Sequence, residues 1–336
     1  MAAAAWGGAP LAREREPEAG RVTAFVRDIA HNDQRLATGK HSGKRSAPQC
    51  IRIALPAAVL LALGWASAAD ATGDPTRGEY VARLGGCHSC HNDPKRKDAA
   101  LAGGLGLTSP YGTFYVPNIT PDPETGIGRW TESDFLKAMT EGTAPDGSPY
   151  YPAFPYTSYT RMERQDLLDL KAYLDTVKPV RNAVRPHDLR FPYNIRPALR
   201  VWKWLFFRPG SFRPDATKSA SWNRGAYLVM GPGHCGECHT VRNFLGVLDQ
   251  KVALAGMKKG PDGKRVANIT PHKKDGIGLW SAADMVGFLK TGKRPFGEDV
   301  EAPMDEVINN NTSHWAQDDL KATSEYLLSL PPRETP

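Results

Sequence analysis

Four of the five cysteines in this 336-residue chain stand in two pentapeptides of one pattern, Cys87-His88-Ser89-Cys90-His91 and Cys235-Gly236-Glu237-Cys238-His239. Two thiols at this spacing, followed at once by an imidazole, suit one chemistry above others. The thiols add to the vinyl groups of a porphyrin, and the histidine reaches its iron as proximal ligand. A single such pentapeptide can also belong to a zinc or thiol redox site. Here the pair lies 148 residues apart, and the stretch downstream of each copy repeats as well. Asn118-Ile119-Thr120-Pro121 matches Asn268-Ile269-Thr270-Pro271, and Gly126-Ile127-Gly128 with Trp130 matches Gly276-Ile277-Gly278 with Trp280. Zinc wants its whole ligand set at one point, whereas each pentapeptide heads its own domain-sized repeat. Two covalently attached haem c groups are therefore expected, one on Cys87, Cys90 and His91, the other on Cys235, Cys238 and His239.

A haem fixed by one histidine needs a sixth ligand to stay low-spin through a one-electron change. A methionine thioether is the usual choice and raises the potential. Met304 lies 36 residues after Asn268, and the same count from Asn118 falls on Phe154, which cannot bind iron. Met162 is the nearest replacement. With three inserted residues allowed in the second repeat, however, it aligns with Trp315, just as Asp166 aligns with Asp319 and Tyr173 with Tyr326. Met304 is thus expected to close the second haem. For the first, ligation by Met162 and an open or otherwise ligated iron both stand, so the two haems should be inequivalent.

The elements that must position these groups read as helical. Tyr80, Val81 and Leu84 suit a short helix entering the first pentapeptide, and Asn223-Arg224-Gly225-Ala226-Tyr227 is its counterpart before the second. Thr131 to Asp134 and Ser281 to Asp284 resemble capping boxes, opening helices whose apolar faces hold Met139 and Met285 as core residues. A last helix closes each repeat, around Leu167 to Leu174 and Leu320 to Leu330, stopped by Pro179 and Pro331. Between them Ala102-Gly103-Gly104 and Tyr111 to Pro121 read as loops around the haem edge. Asn118 and Asn268 read as turn caps in preference to propionate ligands. The fold class expected is all-α, with a first domain at 72–183 and a second at 223–333.

Residues 184–222 join the two. They hold five prolines around Val201-Trp202-Lys203-Trp204-Leu205-Phe206-Phe207, too aromatic for a flexible linker. An ordered connector packed on both domains is expected, with a membrane-surface or partner-docking patch as the alternative. His187 within it reads as structural.

Upstream, Lys44 and Arg45 precede an uncharged apolar run, Ile53 to Trp65, and the small-x-small pattern Ala66-Ser67-Ala68. This is the order of a secretory signal peptide, so residues 1–68 are expected to be removed and the protein to be periplasmic. Residues 1–40 precede the point where such a signal should begin, which suggests a start placed too early. Cys50 would leave with the leader, and no thiol would remain for a disulfide. Residues 69–336 carry a net charge of only +3, which supports no nucleic-acid partner.

From about Asp74 to Pro332 the chain resembles the class I c-type cytochromes that serve as subunits of periplasmic alcohol and gluconate dehydrogenases. The resemblance rests on Asn118 to Asp122 with Gly126-Ile127-Gly128, Tyr151-Pro152-Ala153-x-Pro155-Tyr156, Ser221 to Tyr227, and Gly233 to Thr240. It implies two tandem haem domains taking single electrons from a dehydrogenase of the molybdenum, flavin or quinone-cofactor type. Delivery would be to an oxidase, a quinone or a small cytochrome, with no bond chemistry in this chain itself. The family commonly adds a third haem domain and has Met where Phe154 stands. A dihaem peroxidase with an open first haem is the rival reading, although no distal acid-base pair is evident in the first repeat.

Overall fold

The structure, a computed structural model, describes residues 72–336 apart from 261–262 and 298. The expected leader, its cleavage site and Cys50 lie outside them. The first half runs α1 (Pro75–Leu84), α2 (Cys87–His91), β1 (Gly106–Ser109), β2 (Gly112–Tyr115), α3 (Glu132–Glu141), α4 (Tyr156–Tyr159) and α5 (Arg164–Thr176). The connector contributes β3 (Asp188–Leu189) and α6 (Ala198–Phe206). The second half continues as α7 (Ala220–Met230), α8 (Gly236–His239), α9 (Ala282–Thr291), α10 (Met304–Asn310) and α11 (Gln317–Leu328).

The helices begin where side-chain chemistry lets them. The Asp74 carboxylate accepts from the Thr76 and Arg77 amides at the start of α1, with Pro75 at the first helical position. Both expected capping boxes form, Thr131 with Asp134 on α3 and Ser281 with Asp284 on α9. Met139 and Met285 are buried in the core, as their faces suggested.

The fold is mostly but not entirely helical, which corrects the all-α expectation. β1 and β2 pair antiparallel from Gly106↔Tyr115 to Ser109↔Gly112, and β3 adds at Gly112↔Leu189. At four residues and fewer, these strands are too short for alternation to register in the sequence. Gly112 is needed where β3 crosses: its φ is +124°, and a Cβ there would lie 2.3 Å from the Asp188 carbonyl oxygen.

In each half the helix before the pentapeptide packs on the last helix, α1 on α5 and α7 on α11. The approach is close because it runs over glycine. A Cβ on Gly78 or on Gly225 would stand 1.9 Å from a backbone carbonyl oxygen of the facing helix, that of Asp169 or Ala322. Each half has its own apolar cluster, Leu101, Ile127, Phe135, Leu167 and Leu170 among the first, Leu228, Ile277, Met285, Trp315 and Leu320 among the second.

The halves are tied by a reciprocal exchange. The Tyr80 hydroxyl on α1 donates to Asp319 on α11 (2.7 Å) and accepts from the Ala316 amide (2.9 Å). The Tyr227 hydroxyl on α7 donates to Asp166 on α5 (2.5 Å) and accepts from the Glu163 amide (3.2 Å). Each tyrosine lies on the helix before one pentapeptide and holds the last helix of the other half. Leu84 of α1 is buried in the second half's cluster.

The connector packs on both halves. Lys203 donates to the Gly142 carbonyl, Phe207 stacks edge-on against Tyr156, and the Phe212 amide donates to the Arg161 carbonyl. Toward the second half, Trp202 Nε1 donates to the Leu245 carbonyl, and Phe212 meets Tyr227 edge-on. His187 is structural: its Nδ1 accepts from the Tyr115 amide, and its ring lies against Phe114 and Tyr151.

Candidate haem sites

Each pentapeptide coils into a single helical turn. In the first, α2 follows Gly86, whose φ of +61° turns the chain out of α1. In the second, His234 holds the matching position at φ +37°, unusual for a residue with a Cβ. The turns present four cysteines, with Cys90 and Cys238 exposed.

The histidines are set for metal binding in the same way. His91 Nδ1 donates to the Pro117 carbonyl (2.8 Å) and His239 Nδ1 to the Ala267 carbonyl (2.7 Å). With the proton held at Nδ1, Nε2 keeps its lone pair, and the ring is aimed by the second bond as metal-binding imidazoles are. Burial lowers the His91 pKa to about 4, which leaves that ring neutral at physiological pH, and burial shifts His239 in the same direction. Burial, with a smaller contribution from the partner cysteine, raises Cys87 and Cys235 to about 12. These residues fit covalently held haem: two thiols on one turn and a neutral imidazole with a free nitrogen. Among the described residues, no three His, Cys, Asp or Glu side chains cluster as a compact metal site would need.

A loop closes behind each turn, and the sequence reading missed how alike the two are. The Gly103 amide donates to the His91 carbonyl and the Gly256 amide to the His239 carbonyl, both at 2.8 Å. Leu101 (φ +59°) and Leu254 (φ +64°) hold the same left-handed conformation just before. Such a conformation is costly for leucine and persists only where the surroundings enforce it. The signal was present in the repeat Leu101-Ala102-Gly103 and Leu254-Ala255-Gly256. Asn118 and Asn268 serve the loops. Their Oδ1 atoms accept from Thr120 and Thr270, and their Nδ2 atoms donate to the carbonyls of Val180 and Arg333 beyond each last helix.

The expected distal residues fall in different settings. Met304 is half-buried at the start of α10, which packs against α9 and also against α2 of the other half. Phe154 packs into the first apolar cluster, ringed by Tyr150, Tyr156 and Tyr159. Met162 is 2% exposed in that same cluster, against which Cys87 also packs. Trp315, its counterpart, is equally buried in the second.

The two turns meet at the junction of the halves. His234 Nε2 donates to the Gly85 carbonyl (3.3 Å), and its ring lies edge-on to Tyr159. A Cβ on Gly86 would stand 2.8 Å from the Asn311 amide nitrogen. Glu237, inside the second pentapeptide, accepts from Thr157 (2.8 Å) and Ser158 (2.7 Å) of α4 and pairs with Arg242. Apart from the Glu237–Arg242 pair, none of these junction contacts is local in sequence, so the sequence reading did not find them.

Helical turns bearing C-x-x-C-H, with histidines oriented in this way, define a c-type cytochrome. The family model for cytochrome c matches residues 76–178. A diheme cytochrome c-type protein of Cereibacter sphaeroides is 46% identical over 267 residues, covering 78% of this chain and 88% of that one. The cytochrome c subunit of a quinone alcohol dehydrogenase from Gluconobacter oxydans is 41% identical, covering 76% of this chain and 54% of that one. That of a gluconate 2-dehydrogenase from Pantoea cypripedii is 36% identical, covering 82% of this chain and 64% of that one. The chain belongs to the diheme cytochrome c-type family, and its cofactor is covalently attached haem c. It spans 54% and 64% of the lengths of these two dehydrogenase subunits.

Proposed function

We propose that the chain is a periplasmic dihaem electron-transfer subunit, built as two tandem class I domains at 72–183 and 223–333 joined by the connector. It takes single electrons from a partner dehydrogenase and passes them to a respiratory acceptor, an oxidase, a quinone or a small cytochrome. Bound haem c would supply the one-electron couple of its iron. Cys87 and Cys90, and Cys235 and Cys238, hold the two groups; His91 and His239 are the proximal ligands, aimed by the carbonyls of Pro117 and Ala267. Met304 is the sixth ligand at the second site and Met162 the candidate at the first. The observation that carries this reading is the meeting of the two pentapeptide turns at one junction, where His234 bonds Gly85, Asn311 lies against Gly86 and Glu237 holds α4. A carrier needs its two redox centres held close and rigid, and a pair of separate binding modules does not.

The test is electron paramagnetic resonance of the oxidised haem-loaded protein, carbon monoxide addition to the reduced form, and a peroxide turnover assay. Two low-spin signals and no carbon monoxide adduct are expected if Met162 ligates, with the Met162→Ala variant converting one signal to high spin. One high-spin signal without turnover would mean an open first iron in a relay. Rapid peroxide turnover would overturn the carrier reading in favour of a peroxidase.

A further inference from the structure

The connector carries a surface that electron transfer between the halves does not use. On α6 large apolar side chains face solvent: Val201 is 58% exposed, Trp204 74% and Leu205 48%. Their spacing places them on one stripe of the helix. Phe191 (79% exposed) and Ile195 extend it before the helix. Phe244 and Leu245 are drawn alongside, because Trp202 Nε1 donates to the Leu245 carbonyl (2.8 Å) and the Tyr193 hydroxyl to that of Phe244 (3.3 Å). A helix on a soluble protein ordinarily turns such a stripe inward. Here a charge is held in instead, the Lys203 ammonium donating to the Gly142 carbonyl and Thr143 hydroxyl, while tryptophan and leucine face out.

The charge is concentrated on the same segment. Residues 184–222 hold eight Lys/Arg and two Asp, a net +6, so the remainder of residues 69–336 is net −3. Arg190, Arg196, Arg200 and Arg208 donate to backbone carbonyls. Among the described residues none of the four is in a close ion pair, although Arg196 lies in the field of the Asp146 carboxylate.

We propose that α6 and its flanks are an interfacial helix that docks the protein on an anionic phospholipid bilayer. An exposed aromatic stripe edged by arginines matches the boundary of headgroup and acyl chain, where tryptophan settles and guanidinium groups reach phosphates. With nine residues α6 is about 14 Å long, well short of the roughly 30 Å hydrocarbon core. It lies on a membrane and does not cross it, and among the described residues no helix is long and apolar enough to cross. An acidic protein would satisfy the arginines but would need its own apolar ring to cover Phe191, Trp204 and Phe244. A bilayer supplies both.

The test is flotation of the haem-loaded protein, as the cell releases it and with its N-terminus sequenced. It is mixed with vesicles of phosphatidylcholine alone or in equal mixture with phosphatidylglycerol. Binding is expected to the anionic vesicles only and to weaken as salt rises. The Val201→Ser, Trp204→Ser, Leu205→Ser variant should lose roughly tenfold or more of the partitioning, with an unchanged haem spectrum as the control for folding. Brominated lipid should quench tryptophan fluorescence in the parent, and Trp204→Phe should remove that quenched fraction. Binding that survives the triple substitution, or no binding to either vesicle, overturns the proposal. If in the latter case the same substitutions weaken electron uptake from a dehydrogenase, the surface is a protein-docking face. Because the readout is lipid partitioning, failure here leaves the electron-transfer reading untouched.

Discussion

Met304 and Phe154 stand at the same count in the two repeats, and on the proposed assignment a thioether can bind iron where a phenyl ring cannot. Removing the thioether with Met304→Ala should lower one midpoint potential, on the order of a hundred millivolts. It should also open that haem to carbon monoxide while the other keeps its potential, a separation that a redox titration followed in the visible resolves. Asp319 makes a different kind of residue argument. Burial pushes its carboxyl up, but the Arg224 guanidinium (2.8 Å) and the Tyr80 hydroxyl more than offset this, so its pKa lies below the usual value. A depressed folded pKa contributes stability that is present above the unfolded value, about 4, and is lost as pH falls through the folded one. Asp319→Asn should therefore cost stability at neutral pH and make the remaining acid unfolding below about pH 4 less steep, as thermal melts across pH would report. At this scale the sequence was most legible where function is a matter of contiguous residues. Cys87 to His91 announces its chemistry because both thioether links and the imidazole belong to one turn. His234 and Glu237 could not be read, since their partners Gly85, Thr157 and Ser158 come together only after folding.

Elements were legible in proportion to their length and their caps. α3 and α9 begin at the threonine and serine expected of them, because a capping box is a short-range exchange of two hydrogen bonds. The β1–β2–β3 sheet was not, because pairs of such short strands are fixed by the crossing of β3, far along the chain. The helix pairs show how a single missing side chain can set an element's place. Gly225 lets α7 approach α11 so closely that a methyl group there would overlap the Ala322 carbonyl. Gly225→Ala should force the helices apart and cost about 3 kcal/mol, the upper range for overpacking, or roughly 6–12 °C in melting temperature for a chain of this size. Gly287→Ala, where nothing lies within 4 Å of the added carbon, is the matched control and should leave the melting temperature unchanged or raise it.

At the scale of the whole molecule the question is what holds the two attachment turns in one arrangement. The structure gives two answers with different chemistry. Glu237 joins the turn of α8 to α4 through two hydroxyls, whereas Tyr80 and Tyr227 cross between halves to carboxylates on the last helices. The tyrosine bonds are reciprocal, so they resist a rotation of either half against the other, and burial with the neighbouring carboxylate raises both phenol pKa values, keeping them as donors at any physiological pH. Replacing one phenol removes one donor to a carboxylate that keeps its arginine and leaves an amide without its partner, a loss of about 2 kcal/mol. Tyr80→Phe and Tyr227→Phe should each lower stability by about that amount. Together they should lose less than their sum, because each bond holds the geometry the other needs and removing either one already weakens the other. The arrangement itself can be read separately, from the dipolar interaction between the two haem irons in pulsed electron paramagnetic resonance. If the reciprocal bonds set the spacing of the redox centres, the double variant should broaden that interaction while both haems keep their spectra, and electron exchange between them should slow. An unchanged dipolar signal in a destabilised double variant would place the control at Glu237 instead, and Glu237→Ala should then broaden it by itself.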